Sequence, residues 1–393
     1  LSFEIVPEIK LPNYEKKFKI KMTKYKSSKE DVDHALEEVR QQHSNLKTVD
    51  DGAKSGNFIM GNQVNELETA LSNYVGVKHC VAVSNGTDAL SIALKTIDCG
   101  PGDEVITVPF TWISSAEVIN LVGATPVFVD IDLDTYNIDA TKLESVITDK
   151  TKAIIAVSIF GQVADFDEIN KIAKKHNIVV IEDAAQSFGA EQNGKKSCSL
   201  ADISTTSFFP AKPFGCYGDG GAMFTNNDDW ANKMKAIRTH GANVRHNHWC
   251  FGINARMDTI QAAILLAKFK NIDQIMHTRN NAGELYSKLI NEAKLPLKTP
   301  TILAKNKSVY AQYTLLAENR DDLKNKLKEC EIPSAIYYPK CLHEQPVYQY
   351  LGYKWGDFPN AEKACRNVIS LPIHGWISDE DIHTVVNELK KCL

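Results

Sequence analysis

The stretch Ser207–Thr225, SFFPAKPFGCYGDGGAMFT, sets one lysine between two prolines, just ahead of a run of glycines. On either side, DISTTSFF (202–209) and GAMFTN (221–226) are β-branched and aromatic enough to predict two short strands flanking a lysine-bearing loop. Lysine is ordinarily a solvated surface residue. Enclosed by aromatics, prolines and glycines, Lys212 would lose water, and desolvation lowers an amine's pKa by disfavouring its charged form. A lysine neutral near pH 7 is a nucleophile that can form a Schiff base with an aldehyde or ketone. The plainer alternative is a tight turn with Lys212 pointing outward, and this stretch alone leaves both open.

Working outward, short apolar runs alternate with helical patterns from about Val64. HCVAV (79–83), DEVITV (103–108), TPVFVDI (125–131), KAIIAVSIF (152–160) and IVVIED (178–183) are continuous rather than alternating. Such runs separated by helices predict a mostly parallel sheet covered on both faces, and hence an α/β fold. From about residue 270 the pattern changes to a smaller α+β unit. Three regions are expected: an N-terminal extension with a capped helix starting at Ser28 (1–55), a large domain (56–268) and a small C-terminal domain (269–393).

The bulk properties fit this picture. With 393 residues, 43% hydrophobic and 24% charged, the chain has an ordinary globular composition. A formal net charge of -4 gives no reason to expect nucleic acid or an anionic membrane as partner. No apolar run approaches the ~20 residues of a membrane helix, and the opening segment lacks the apolar core of a signal peptide. The nine cysteines are scattered, with no CxxC pair, so neither a disulfide framework nor a zinc site is expected. Reduced thiols in a cytoplasmic protein, and no metal, are the economical expectation.

In open parallel sheets ligands bind at the carboxyl ends of the strands. There SNGTDAL (84–90) opens a helix, so the N–H groups of Gly86, Thr87 and Asp88 could bind an anion; simple N-capping is the alternative. Asp183 ends an apolar strand, where a buried carboxylate needs a cation such as a protonated pyridine nitrogen, or is merely a cap. Gln186, three residues on, could donate to a phenolic oxygen. Trp112, just past a strand end, is either core or a ring to stack on an aromatic cofactor. Ser207 could add a hydroxyl to the anion site. Together with Lys212, this inventory fits pyridoxal phosphate, for which an aspartate at the ring nitrogen and a lysine Schiff base are expected.

From about Ser55 onward the chain resembles the DegT/StrS family of sugar aminotransferases, of fold type I among pyridoxal-phosphate enzymes. SGNFIMG, NGTDAL, GDEVITVPFT, DAAQSFGA, SFFPAKPFGCYGDGGA, GINARMDTIQAA and YYP carry the resemblance, in order. It implies that Lys212 holds the cofactor, Asp183 faces its ring nitrogen, Gln186 its ring hydroxyl and Trp112 its face. Thr87, Asp88 and Ser207 would hold the phosphate. It also implies a homodimer with shared active sites, in which Asn254 reaches the phosphate, and Arg256 the substrate, of the neighbouring subunit; an intramolecular salt bridge is the alternative for Arg256.

PAKPFGCYGDGG resembles enzymes that aminate a 3-keto sugar; GQVADFDEIN, GKKSCSL and SVYAQYT are most similar to those acting on UDP-2-acetamido-2-deoxy-ribo-hex-3-uluronate, which implies L-glutamate as donor and a place in cell-surface polysaccharide synthesis. Gly56, Phe58, Ala211, Arg256, Tyr337 and Tyr338 match positions around the substrate. Phe58, Ala211 and Tyr337 depart from that pattern, standing in place of tyrosine, serine and histidine. A neutral 3-keto-6-deoxy or 4-keto sugar nucleotide is the alternative substrate, and a non-catalytic binding or regulatory protein the alternative of another class.

Overall fold

The computed structural model describes residues 56–393; the expected N-terminal extension and its helix from Ser28 lie outside the described residues. A seven-stranded sheet organises the chain: β1 (His79–Val83), β2 (Glu104–Thr107), β3 (Thr125–Phe128), β4 (Thr151–Val157), β5 (Val179–Asp183), β6 (Ile203–Ser207) and β7 (Gly221–Thr225). Their order is β1-β7-β6-β5-β4-β2-β3. β7 pairs antiparallel with both β1 and β6, while β6, β5, β4, β2 and β3 pair in parallel. The reversal at β7 follows from the lysine loop, which is short enough to join β6 and β7 as neighbours without a crossover.

Burial alternates along the strands as a sheet covered on both faces requires. On β4, Ile154 and Ala156 join one apolar cluster and Ala153 and Ile155 the other. The first face packs on α1 (Asn62–Val75) through Val64, Leu67 and Leu71. The second packs on α2 (Gly86–Thr96), whose Ala89, Ile92 and Ala93 are fully buried. Further helices α3 (Ser114–Leu121), α4 (Phe166–His176) and α5 (Asp228–Ile237) complete the connections.

After Arg256 the chain forms two successive helices, α6 (Thr259–Phe269) and α7 (Ile272–Glu292), separated at residues 270–271. Beyond them, β8 (Tyr313–Leu316) and β9 (Val368–Leu371) pair antiparallel. They share a separate apolar cluster with α7, α8 (Arg320–Glu329) and α10 (Asp379–Cys392), built on Tyr286, Leu315, Leu327, Ile369 and Leu389. α9 (Pro359–Asn367) leads into β9 and adds Ala361, Ala364 and Cys365 to the first cluster. No helix among the described residues is long and apolar enough to cross a membrane.

Two backbone segments interlock beside the carboxyl edge of the sheet. Gly161, with φ +99°, lies against the chain at Tyr310 and Ala311; a Cβ there would sit 2.5 Å from both amide nitrogens. The Gly161 carbonyl accepts from Val309 N–H and from Ser308 Oγ, 2.9 and 3.0 Å away. Glycine is thus required twice, for its φ and for the close approach. Gly161→Ala is expected to destabilise the protein by roughly 2–5 kcal/mol, the left-handed penalty plus overpacking. Gly194, with φ +76° and open space around it, should cost only about 1–2 kcal/mol on the same change. Urea unfolding of the two variants checks the difference; equal losses would contradict the close contact.

Candidate active site

Five chain segments meet at the carboxyl edge of the sheet. β5 delivers Asp183, and because side chains alternate along a strand, Glu182 points to the opposite face. Glu182 is fully buried but accepts from Ser158, Ser197 and Ser204 hydroxyls and from the Cys198 N–H at 2.7–3.3 Å. Asp183 is only 6% exposed and has fewer partners: Ser115 Oγ donates at 2.8 Å and the Ala185 N–H at 3.2 Å. Burial raises its pKa, opposed by Ser115, the Ala185 N–H and the positive charge of Lys212. Burial lowers the Lys212 pKa in turn, against the pull of Asp183. Each group pushes the other toward its charged form, while the low-dielectric surroundings push both toward neutrality.

Lys212 sits in the turn after β6, where its N–H donates to the Phe209 carbonyl at 2.8 Å. The side chain is half-buried, Ala211 before it is exposed, and Pro213 after it is buried. The Lys212 amine lies near enough to Asp183 to feel that carboxylate's charge, which favours the inward orientation over the solvated turn. Phe208, Phe214 and Cys216 lock the loop's base into the core.

At the neighbouring strand end, Asn85 caps α2: its side-chain oxygen accepts from the Asp88 N–H at 2.8 Å. This corrects one expectation, because the Asp88 N–H is satisfied internally and its carboxylate is held by Ser84 and Asn85. The N–H groups of Gly86 and Thr87 donate to no such cap and make no hydrogen bond among the described residues. The Thr87 and Ser114 hydroxyls lie 2.8 Å apart. A Cβ on Gly86 would be 2.8 Å from the Ser207 Cβ, so only glycine lets the helix start press onto the end of β6. Two free N–H groups, a helix N-terminus and the Thr87 and Ser207 hydroxyls form a cradle suited to a phosphate.

An aromatic wall closes one side. The Trp112 ring lies 6.0 Å from that of Tyr338, and Phe110 lies 6.3 Å from it on another side. Trp112 is 59% exposed, so it is not core and leaves a ring surface free. Gln186 is fixed at both ends: its oxygen accepts from the Phe160 N–H at 2.8 Å, and its nitrogen donates to the Tyr338 hydroxyl at 3.1 Å. The phenol that Gln186 donates to in this structure is thus the protein's own.

Gly56, Phe58, Asn254 and Arg256 lie on two other segments, of which 254–256 reaches the cradle through the Ala255 carbonyl, which accepts from the Ser84 N–H at 3.0 Å. The Phe58 carbonyl accepts from the Thr259 N–H at 2.9 Å, and Ile59 bridges to Asp258. Arg256 Nε donates to Asn254 Oδ1 at 2.9 Å. No carboxylate among the described residues pairs with Arg256, so the salt-bridge alternative fails there. Phe58 is 63% exposed. No hydrogen bond, ion pair or ring contact among the described residues joins this group to Lys212, Asp183, Trp112 or Tyr338. Two contributors escaped sequence reasoning: Ser115 and Ser114, in the first turn of α3, which read there as ordinary helix-start residues. Nothing local marks Ser115 as the partner of an aspartate 68 positions away.

The assembled groups match pyridoxal phosphate on chemical grounds: a phosphate cradle that a Cβ would fill, a buried carboxylate short of a cation, and a desolvated amine beside it. The comparisons agree. Residues 39–390 match the DegT/DnrJ/EryC1/StrS aminotransferase family. A UDP-2-acetamido-2-deoxy-3-oxo-D-glucuronate aminotransferase of Pseudomonas aeruginosa is 46% identical over 84% of this chain and 91% of its own. A pleiotropic regulatory protein of Geobacillus stearothermophilus is 44% identical over 88% of this chain and 93% of its own. The pyridoxal-phosphate form of a putative sugar aminotransferase from Streptococcus pneumoniae superposes with a TM-score of 0.83 at 28% identity, covering 89% of this chain and 97% of that one. The chain belongs to the DegT/DnrJ/EryC1/StrS aminotransferase family and is a pyridoxal-phosphate-dependent sugar aminotransferase.

Proposed function

We propose that this enzyme transfers the amino group of L-glutamate to the 3-keto position of a UDP-linked sugar, UDP-2-acetamido-2-deoxy-ribo-hex-3-uluronate, as a homodimer with shared active sites in cell-surface polysaccharide synthesis. The observation that carries the chemistry is the buried pair of Asp183 and Lys212, each shifted toward neutrality by burial. The substrate rests on the similarity to the Pseudomonas aeruginosa relative, which is named for a 3-oxo uronate. A regulatory role, favoured by the Geobacillus stearothermophilus relative, predicts a protein whose visible colour does not respond to glutamate.

Bound pyridoxal phosphate supplies a carbonyl carbon that exchanges amino groups and a ring that takes up electrons from a breaking C–H bond. Gly86, Thr87 and Ser207 would hold its phosphate, Asp183 its ring nitrogen, and Trp112 its face. Gln186 would meet its ring hydroxyl, sharing the nitrogen that now donates to Tyr338. The carboxylate of Asp183, short of a cation on its own, keeps that nitrogen protonated. Ser115 holds the carboxylate in place by donating to one oxygen. Lys212, whose pKa burial lowers, would hold the carbonyl carbon. Its amine would remove a proton from the donor's α-carbon and return one to the other reacting carbon, as general base and acid. Trp112 and Tyr338 exclude water from that transfer. Asn254 and Arg256, unlinked to their own Lys212, would serve the neighbouring subunit.

Asp183→Asn tests the carboxylate. Activity should fall at least ~100-fold, the scale of a lost electrostatic stabiliser. The melting temperature of the cofactor-free protein should hold or rise, since an uncompensated buried charge is gone. Full activity in this variant would reduce Asp183 to a cap. Subunit sharing predicts that Lys212→Ala and Asn254→Ala proteins, each inactive alone, recover activity in a mixed dimer, where one of two sites is intact. A verified heterodimer with no recovery would mean that Asn254 serves its own subunit.

The substrate is tested by assaying glutamate with the 3-keto uronate and with a neutral 3-keto-6-deoxy sugar nucleotide. The uronate should be preferred, and Arg256→Lys should lower its turnover at least about tenfold more than that of the neutral sugar, because lysine cannot reproduce a two-bond guanidinium–carboxylate fork. Preference for the neutral sugar removes the uronate assignment, and equal losses mean that Arg256 holds a group common to both.

A further inference from the structure

Asp183 is held by a donor that is itself held. The Ser115 hydroxyl donates to Asp183 Oδ2 at 2.8 Å, while Oδ1 accepts from the Ala185 N–H at 3.2 Å. Four residues before Ser115, the Thr111 hydroxyl lies 3.2 Å from the Ser115 hydroxyl. The chain is already turning there, with the Ser115 N–H donating to the Trp112 carbonyl at 3.3 Å, and the turn brings Thr111 over Ser115. Thr111 and Ser115 are only 3% and 1% exposed, so the protein itself must satisfy both hydroxyls.

Counting protons fixes the direction of this chain of bonds. A hydroxyl has one proton to give. Ser115 gives its own to Asp183, so the proton between the two hydroxyls comes from Thr111. Ser115 is the only partner of the Thr111 hydroxyl among the described residues. Were Ser115 to turn its proton toward Thr111, the carboxylate and the Thr111 proton would each lose a partner in a buried site, which is costly. The order Thr111 to Ser115 to Asp183 is thus locked, and it satisfies every member only while Asp183 Oδ2 carries no proton. A hydroxyl that accepts one hydrogen bond also donates a stronger one.

We propose that Thr111 and Ser115 are positioning residues that hold Asp183 as a carboxylate, and so make the site select a cofactor ring with a cationic nitrogen. Both act through Asp183, and the proposal rests on the placement of the ring nitrogen at Asp183 argued above. Ser114, the next residue on α3, faces another way: its hydroxyl lies 2.8 Å from that of Thr87 and donates to Glu117 at 3.2 Å. It belongs to the phosphate end of the site and supplies the control.

The test equilibrates the holoenzyme with mixtures of pyridoxal phosphate and its deaza analogue, in which a C–H replaces the ring nitrogen, and measures the proportion of each that is bound. The wild-type protein should favour the pyridine. Ser115→Ala should cut that preference about tenfold, the scale of one hydrogen bond to a charged group. Thr111→Val, which removes a hydroxyl one step further away, should cut it about threefold. Ser114→Ala should leave it within about twofold. A merely structural role for Thr111 and Ser115 would weaken both cofactors alike, so an unchanged preference in either variant overturns the proposal. An equal fall in Ser114→Ala also overturns it, because the effect would then come from a loosened start of α3. If the wild-type protein binds both rings equally well, the pairing of Asp183 with the ring nitrogen fails and this proposal with it.

Discussion

A carboxylate with almost no exposure is tolerable only where positive charge or several donors compensate it, and Asp183 has two neutral donors and the pull of one lysine. Its neighbour Glu182 shows what a purely structural solution looks like in the same strand: three hydroxyls and a backbone N–H around one carboxylate. The contrast gives the two residues different uses. Glu182 ties β5 to β6 and to the loops at 158 and 197. Asp183 is left with unmet demand for a cation, and the lysine facing it is desolvated as well. On the proposed assignment a protonated ring nitrogen would answer that demand and leave Lys212 free to act as a base.

The fold was legible in the sequence because its strands are buried on both faces. Continuous runs such as KAIIAVSIF and IVVIED have no other economical place, and each strand end could be read with its adjoining loop. Lys212, Asp183, Gln186 and Ser207 were visible for that reason: each lies at or just after the end of such a run. Less legible were contacts that cross the chain. Ser115 reaches Asp183 from another helix, and Gln186 meets Tyr338 across 152 positions. Asp88 was misjudged because capping and anion binding draw on the same N–H groups, and only the orientation of Asn85 decides between them. The break at 270–271 was equally hidden, since neither glycine nor proline marks it.

Residues matching the family's substrate and phosphate positions fall into two sets in one chain. Lys212, Asp183, Trp112, Tyr338 and the cradle form one; Phe58, Asn254 and Arg256 form the other, tied to the cradle only through the Ala255 carbonyl, which accepts from the Ser84 N–H. The second set is held by backbone pairing around Ile59 and Asp258, with its guanidinium bonded only to a neutral amide among the described residues. A guanidinium so placed keeps most of its donors for an external anion. The proposed dimer is the arrangement that would bring the second set to a neighbouring Lys212.

The central claim is that the amine of Lys212, and no other, is the one presented to the cofactor. Borohydride reduction of the yellow holoenzyme, followed by peptide mapping by mass spectrometry, tests it most directly. The account predicts a single pyridoxyl-phosphate adduct, on Lys212, absent when glutamate has first discharged the colour. An adduct on another lysine, or none in a protein that is yellow before reduction, would contradict it.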